Sequence, residues 1–338
     1  PTGFLELNQD NLDDTASKLT ALAWIKNRDA DDSHILVDRV RGVGKVLHSD
    51  DLAKEETEPN TVQRFLQRGV QIGSDVQVNT VNESYVLWQW LVGNSATTGT
   101  AISADNPPSI ASTVIAADAG HFSVGTYTGQ TSAGTVGHGL GGAPEMIIVW
   151  DKEFDNSVAA YHKYIATDAE TDYILLNGTG VPQDNATFWN DTAPNSTVFS
   201  VGTGNNTNGN GRDKLFLAFR SVPGVCKLGS YVGNNTDDNA YVSLGFTPRF
   251  FMCKMITGSS QWHLIDSARS PTNEGQIQSF ANLNNAEQNS ALGGYDLLSD
   301  GIKIRSDAGF EPGNTGTWVY MAMADIGGNG TLPPIYGR

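Results

Sequence analysis

The chain has 338 residues, 39% of them apolar, and carries a formal charge of −16 with only 17% charged residues. That apolar content at that length supports packed cores, while a net acidic chain lacks the concentrated Lys/Arg face that phosphate binding needs, which excludes a nucleic-acid partner. No stretch reaches the roughly 18 consecutive apolar residues of a spanning helix, so membrane insertion is not expected.

Taken in order, the segment from Asn11 to Leu22 reads as a short helix. "WIKNRDADDSHILVDRVR", from Trp24, follows with Lys26, Asp38 and Arg41. Thr61 to Gly69 reads as a second short helix, and Val70 and Ile72 then alternate as a strand ending in "GSD". After the loop "NTVNE", "SYVLWQW" places Val86, Trp88 and Trp90 on one face of a strand, a period of two. Residues 94–121 are rich in small side chains and read as a linker carrying one strand near Val114. "GTYTG" (Gly125 to Gly129) then opens a second segment, with "GHGLGG" around His138, "PEMIIVW" as a fully buried strand, and "KLFLAFR" as its closing strand. "GSYVG" (Gly229 to Gly233) opens a third, which runs through "PRFFMCKM" and "QWHLIDSAR" to "GIKIRSD" and "WVYMAMA". The last residues, 328–338, read as an extended tail because paired prolines favour polyproline geometry, and they are expected to dock on a neighbouring subunit.

The segments match one another. Lys26, Asp38 and Arg41 reappear at the same spacing as Lys254, Asp266 and Arg269, and Gly73 to Tyr85 spans the same distance as Gly202 to Lys214. Self-similarity of this kind signals a repeated supersecondary unit. The expected fold is therefore all-β: three tandem pseudo-repeat β-sandwich units, jelly-roll or lectin-like, with few short helices. Their expected bounds are 1–93, 122–222 and 223–327, with 94–121 as linker and 328–338 as tail. The first unit lacks the Gly-x-Tyr-x-Gly opening of the other two, which points to an upstream partner or a degenerate cap. Pro1 fits removal of an initiator Met, a trimmed chain or a cleaved precursor.

The recurring Asp38/Arg41 and Asp266/Arg269 pairs read as structural: each carboxylate pins a turn by charge-assisted hydrogen bonds, and the middle segment has Tyr161, His162 and Lys163 instead. His34, His162 and His263 fall in corresponding parts of separate units, so isolated buried histidines fit better than a metal site. "GHGLGG" lacks a following helix and reads as a turn rather than a phosphate loop. Cys226 and Cys253 sit in apolar strands and read as buried thiols. No cofactor is expected; calcium is the alternative at the Asn/Asp-rich runs Asn206 to Asp213 and Asn234 to Asn239. The candidate ligand surface is Trp189, Asn190 and Asp191 with Trp262 and Tyr295, read as exposed loop aromatics among amides, a composition suited to stacking on sugars; the alternative is that these rings cap the sandwich core. Without a nucleophile or metalloprotease motif the chain reads as noncatalytic, although abundant carboxylates keep a polysaccharide depolymerase as an alternative.

"WIKNRDADDSHILVDRVRG", "GVQIGSDVQVNTVNESYVLWQW", "GTVGHGLGGAPEMIIVW" and "FWNDTAPNSTVFSVG" resemble a repeat family of tail or virion structural proteins in tailed bacteriophages, especially marine and cyanobacterial ones. The resemblance covers nearly the whole chain but departs at the N-terminus, where the opening strand motif is missing. It implies a virion component assembled in the host cytoplasm, a tail fibre or spike that attaches to a host surface glycan. The alternative is a capsid decoration or tail-scaffold protein binding only other virion proteins. Partners would then be other virion proteins and copies of the chain itself, a trimer favoured. The family defines no catalytic residues to carry over.

Overall fold

The computed structural model describes residues 5–8, 18–67, 69–93, 99–100, 107–290, 293–306 and 311–324. It is an all-β protein: among these residues the only helices are three of four residues each and one short 3-10 turn. Thr61 to Gly69, expected as a helix, contains instead the strand Val62–Leu66, paired with Gly69–Ile72. Lys18 to Leu22 is likewise strand, part of Lys18–Asn27; the rest of that expected helix, and the tail 328–338, lie outside the described residues. In both cases sheet pairing outweighs a weak helical pattern, on two sides for Lys18–Asn27 and on one side for Val62–Leu66.

Three central strands, Lys18–Asn27, Met146–Asp151 and Pro248–Met255, anchor three main sheets. Each pairs with a return strand, Ile35–Asp38, Ala159–His162 or His263–Asp266, and on its other side with a closing strand, Tyr85–Gly93, Asp213–Phe219 or Gly316–Ala324. The registers coincide. Trp24 stands between Leu36 and Trp88, Ile148 between Ala160 and Leu217, and Met252 between Leu264 and Met321. Opening strands Phe122–Thr128 and Cys226–Gly233 flank the second and third closing strands. Ser112–Ala116, within the expected linker, extends the second sheet with Val114 opposite Gly125.

These central segments are near-continuous apolar runs because both sheet faces are covered. One face packs on a smaller second layer. In the third segment Phe251, Cys253, Ile265 and Tyr320 meet Ile302 and Ile304 there, and in the first Ala23, Ile25 and Val37 meet Val70 and Ile72. The alternate residues of all three sheets point into one common core, where Trp24, Trp88, Trp90, Leu217, Phe219, Phe250, Met321 and Met323 are buried together. Trp90 sits at its centre, its ring 6.0–6.1 Å from Phe122 and Phe219 and 5.8 Å from Phe250.

Ring N–H groups tie the three sheets in a cycle. Leu47, Ile174 and Ser279 pair with the equivalent return-strand residues Leu36, Ala160 and Leu264, so the residues after them, His48, Leu175 and Phe280, are equivalent too. Each of those carbonyls accepts a bond from a different sheet: His48 from Trp150 Nε1 at 2.8 Å, Leu175 from Trp262 Nε1 at 2.9 Å, and Phe280 from His34 Nε2 at 2.9 Å. Trp24 Nε1 donates to His34 Nδ1 at 2.7 Å, so His34 carries its proton on Nε2 and is a neutral donor. Replacing Trp150 with Phe keeps the ring but leaves the His48 carbonyl unsatisfied; we expect a loss of about 1–3 kcal/mol in denaturant unfolding. An unchanged midpoint would show that the cycle adds nothing to stability.

Candidate functional site

The sequence-predicted ligand surface does not assemble as expected. Trp189, Trp262 and Tyr295 are at most 2% exposed, so the reading of them as exposed loop aromatics is corrected, and the alternative, rings that close the core, describes them. Trp189 ends the helical turn Ala186–Trp189 and packs edge-on against Tyr161, the ring centroids 5.9 Å apart. Trp262 lies directly before an apolar return strand and serves the cycle of cross-sheet bonds. Tyr295 is enclosed between strands and donates its hydroxyl to the Ile277 carbonyl. The three belong to separate places in the fold. Of the predicted surface only Asn190 and Asp191 are exposed, at consecutive left-handed positions (φ 55° and 44°) that Asn and Asp tolerate better than most side chains.

The Asp–Arg pairs are buried and built alike. Oδ1 of Asp38 accepts the backbone N–H of Val40 and Arg41, and Oδ1 of Asp266 accepts those of Ala268 and Arg269. Oδ2 of each takes the Nε–H of its arginine, at 2.7 Å for Arg269, and the arginine donates Nη2 back to Leu36 or Leu264. In the middle segment His162 occupies the aspartate position: Nδ1 accepts the Tyr164 N–H at 3.3 Å and Nε2 donates to the Tyr320 carbonyl of the third closing strand at 3.1 Å. His34, His162 and His263 are thus offset from one another: His34 matches Trp262, His162 matches Asp38 and Asp266, and His263 matches Ile35.

Asp266 has a further role that sequence could not show. Trp88 Nε1 of the first closing strand donates to its Oδ2 at 3.1 Å, and the Arg269 guanidinium lies 5.2 Å from the Trp88 ring. Beside this contact runs an open-sided cavity of about 130 Å³ along the first closing strand, its apolar wall formed by Val86, Trp88, Trp90, Phe250 and Met323. Its location follows from the absence, among the described residues, of an opening strand beside Tyr85–Gly93.

The polar side chains that suggested other chemistry are occupied structurally. Asn208 donates to the Gly202 carbonyl at 2.6 Å and to that of Ser132 at 2.8 Å, and Asn239 donates to that of Gly313 at 2.7 Å, so these amides brace turns in the two runs read as calcium candidates. Among the described residues no group of three His, Cys, Asp or Glu side chains is placed to hold a metal. His138 bridges its own turn, with Nε2 3.1 Å from the Asn195 carbonyl and Nδ1 accepting the Leu140 N–H, while Gly139 and Gly141 adopt positive φ as a turn requires. Lys214 and Asp151 form a fully buried pair at 2.7 Å, and the buried ammonium of Lys254, pulled down to about 8 by desolvation, donates to the Ser260 and Thr179 carbonyls. Both cysteines are buried free thiols.

The chain is an all-β protein in which the aspartate–arginine pairs shared between segments bond the turns of their own segments, with Asp266 also accepting from Trp88 of another sheet. Residues 14–326 match the family described as Domain of unknown function (DUF7483), and the chain belongs to that family. No curated protein and no solved structure matches it.

Two outcomes follow from this geometry. Asp266→Ala strips Arg269 and Trp88 of their shared acceptor in a buried setting, so a loss of about 3–5 kcal/mol is expected, read as a lowered denaturation midpoint. A change below about 1 kcal/mol would contradict a structural role. Burial also holds His34 down to about 3, and His138 and His162 down to about 4, from an ordinary 6.5. Because the folded pKa lies below the unfolded one, the unfolded chain takes up protons first as pH falls. Stability should be level above about pH 6.5 and drop by roughly 2 kcal/mol per buried histidine by pH 5. Equal stability at pH 7.5 and pH 5 would refute the neutral, bonded state of these rings.

Proposed function

We propose that the chain is three tandem pseudo-repeated β-sandwich units and serves as a noncatalytic structural protein of a tailed-bacteriophage particle, working through contacts with other virion proteins. The observation that carries the reading is the use of the recurring polar residues. The Asp38/Arg41 and Asp266/Arg269 pairs, with His162 in the middle segment, are buried and bonded within the scaffold, as a structural component requires. The coincident registers of the three central strands support the tandem units, with 1–93, 122–222 and 223–327 as their bounds. The resemblance to tailed-phage repeat proteins at Trp24 to Gly42, Gly69 to Trp90 and Phe188 to Gly202 supports the particle assignment.

Burial of Trp189, Trp262 and Tyr295 moves the balance between the two virion roles. A glycan-attachment surface needs rings open to solvent for stacking, so binding other virion proteins is favoured over host-glycan attachment. Mass spectrometry and electron microscopy of gradient-purified particles from the phage that encodes the chain should find it at a fixed copy number in the particle. Its absence from purified particles would overturn the assignment. Glycan-array binding abolished by Asn190→Ala or Asp191→Ala would restore the attachment role.

A further inference from the structure

We infer that a closed ring of loops at one end of the molecule is a docking face for a partner protein built of three identical copies, each presenting a Lys or Arg side chain. Three of the loops are the turns 28–34, 152–158 and 256–262 between central and return strands. The others are the segments 49–55, 176–182 and 281–287, which follow the residues paired with the return strands. Within each sheet one bond joins the two: Oδ1 of Asp50, Asn177 and Asn282 accepts the N–H of His34, Val158 and Trp262 at 2.8–3.0 Å. Between sheets, Asn156 donates its N–H to the Leu52 carbonyl at 2.8 Å, Ser260 to that of Thr179 at 3.2 Å, and Glu287 to that of Arg28 at 2.9 Å. The circuit therefore runs from the first sheet to the second, on to the third, and back to the first.

These contacts repeat one another. The spans Trp24 to Leu36, Ile148 to Ala160 and Met252 to Leu264 are equal in length and pair in equal register, so Asn156 is equivalent to Ser260 and Lys152 to Arg28. Counting from the equivalent residues Leu47, Ile174 and Ser279 makes Leu52 equivalent to Thr179, and Glu55 to Glu287. The bond from Glu287 to Arg28 accordingly recurs as one from Glu55 to Lys152, at 3.1 Å. Pro182, which has no N–H, stands at the third such position. A single chain thus builds three-fold pseudosymmetry, and each position of the turns occurs three times around its axis. A cyclic trimer has the matching symmetry and meets all three positions with one repeated group.

The exposed positions set the chemistry of that group. Asp29, Glu153 and Thr257 are equivalent and exposed, and so are Asp31, Asp155 and Ser259. Two turns thus offer a pair of carboxylates and the third a pair of hydroxyls. An ammonium or guanidinium donates to both kinds of acceptor, whereas a carboxylate would be repelled at two of the three turns. The turns' own cations are already paired, Arg28 with Glu287 at 2.8 Å and Lys152 with Asp213 at 3.7 Å. Apolar contact is available beside the acids at Leu52 and Phe154, 52% and 50% exposed, and the Phe154 ring is held against the Arg212 guanidinium at 3.9 Å. An aromatic ring fixed in this way loses little freedom on binding. The charge of −16 steers a basic partner toward the chain. Each exposed ion pair is weak alone, but three engaged together on a rigid ring gain from effective concentration.

The inference names the kind of partner for a chain that works through other virion proteins, and it rests on that reading. Electron microscopy of purified particles, reconstructed locally around the chain, should show one copy on a three-fold axis with the ring facing three copies of one protein. Asp155→Lys and Ser259→Lys, on different turns, should each lower the copies incorporated by about tenfold or more, with the melting of the isolated chain unchanged. A chain present in the particle with its ring facing solvent, an asymmetric neighbour or a second copy of itself would overturn this inference alone. So would full incorporation of either variant, because a matched partner must feel both turns. A chain absent from the particles would overturn the virion assignment, and this inference with it.

Discussion

A sheet that is apolar on both faces cannot stand alone, and this constraint organises the whole chain. Each main sheet covers one face with its own small second layer and leaves the other, rich in Trp, Phe and Met, to be covered by its neighbours. The hydrophobic effect that drives this shared burial is non-directional and does not say how three sheets should be turned relative to one another. Direction comes from the bonds that cross between sheets: Trp150 to His48, Trp262 to Leu175, and His34 to Phe280, with Trp88 to Asp266 and His162 to Tyr320 beside them. A carbonyl buried without its donor is costly, so each contact penalises a wrong packing angle.

The same logic explains why the polar residues that recur do not form a site. Asp38 and Asp266 satisfy the N–H groups of the turns that follow their return strands, and the arginines satisfy the carbonyls that precede them. His162 does part of that work with a neutral ring and adds a cross-sheet bond, which shows that the turn needs an acceptor at this point and not a charge. Among the described residues the equivalence fails at Tyr85–Gly93, which has no opening strand beside it.

Much of the fold was legible because its signals are local. Alternation in Val86, Trp88 and Trp90, and again in Leu215, Leu217 and Phe219, marks the closing strands, and equal spacing of Lys26, Asp38 and Arg41 with Lys254, Asp266 and Arg269 marks the repeat. The helix expected over Thr61 to Gly69 was misread because Val62, Phe65, Leu66 and the adjacent polar residues satisfy a helical period as well as a strand. The aromatic residues of the candidate surface were misplaced for a related reason. Trp189 and Trp262 stand among Asn, Thr, Ser and Gln in sequence, but those neighbours say nothing about what another sheet brings against the ring. One signal was available and unused: His34 and Trp262, both ring N–H donors, precede matching strands at the same offset.

The sequence by itself determined the all-β class, the three matched segments, the register-bearing strands and the pairing of each aspartate with its arginine, because these depend on side-chain period and on partners three residues apart. Only the tertiary structure decided that the inner faces of the three main sheets share one core, that the predicted surface rings are buried, and that three equivalent carbonyls are capped in a cycle. These rest on contacts between residues as far apart as Trp88 and Asp266, and such contacts are set by how sheets pack on one another, which no local pattern encodes.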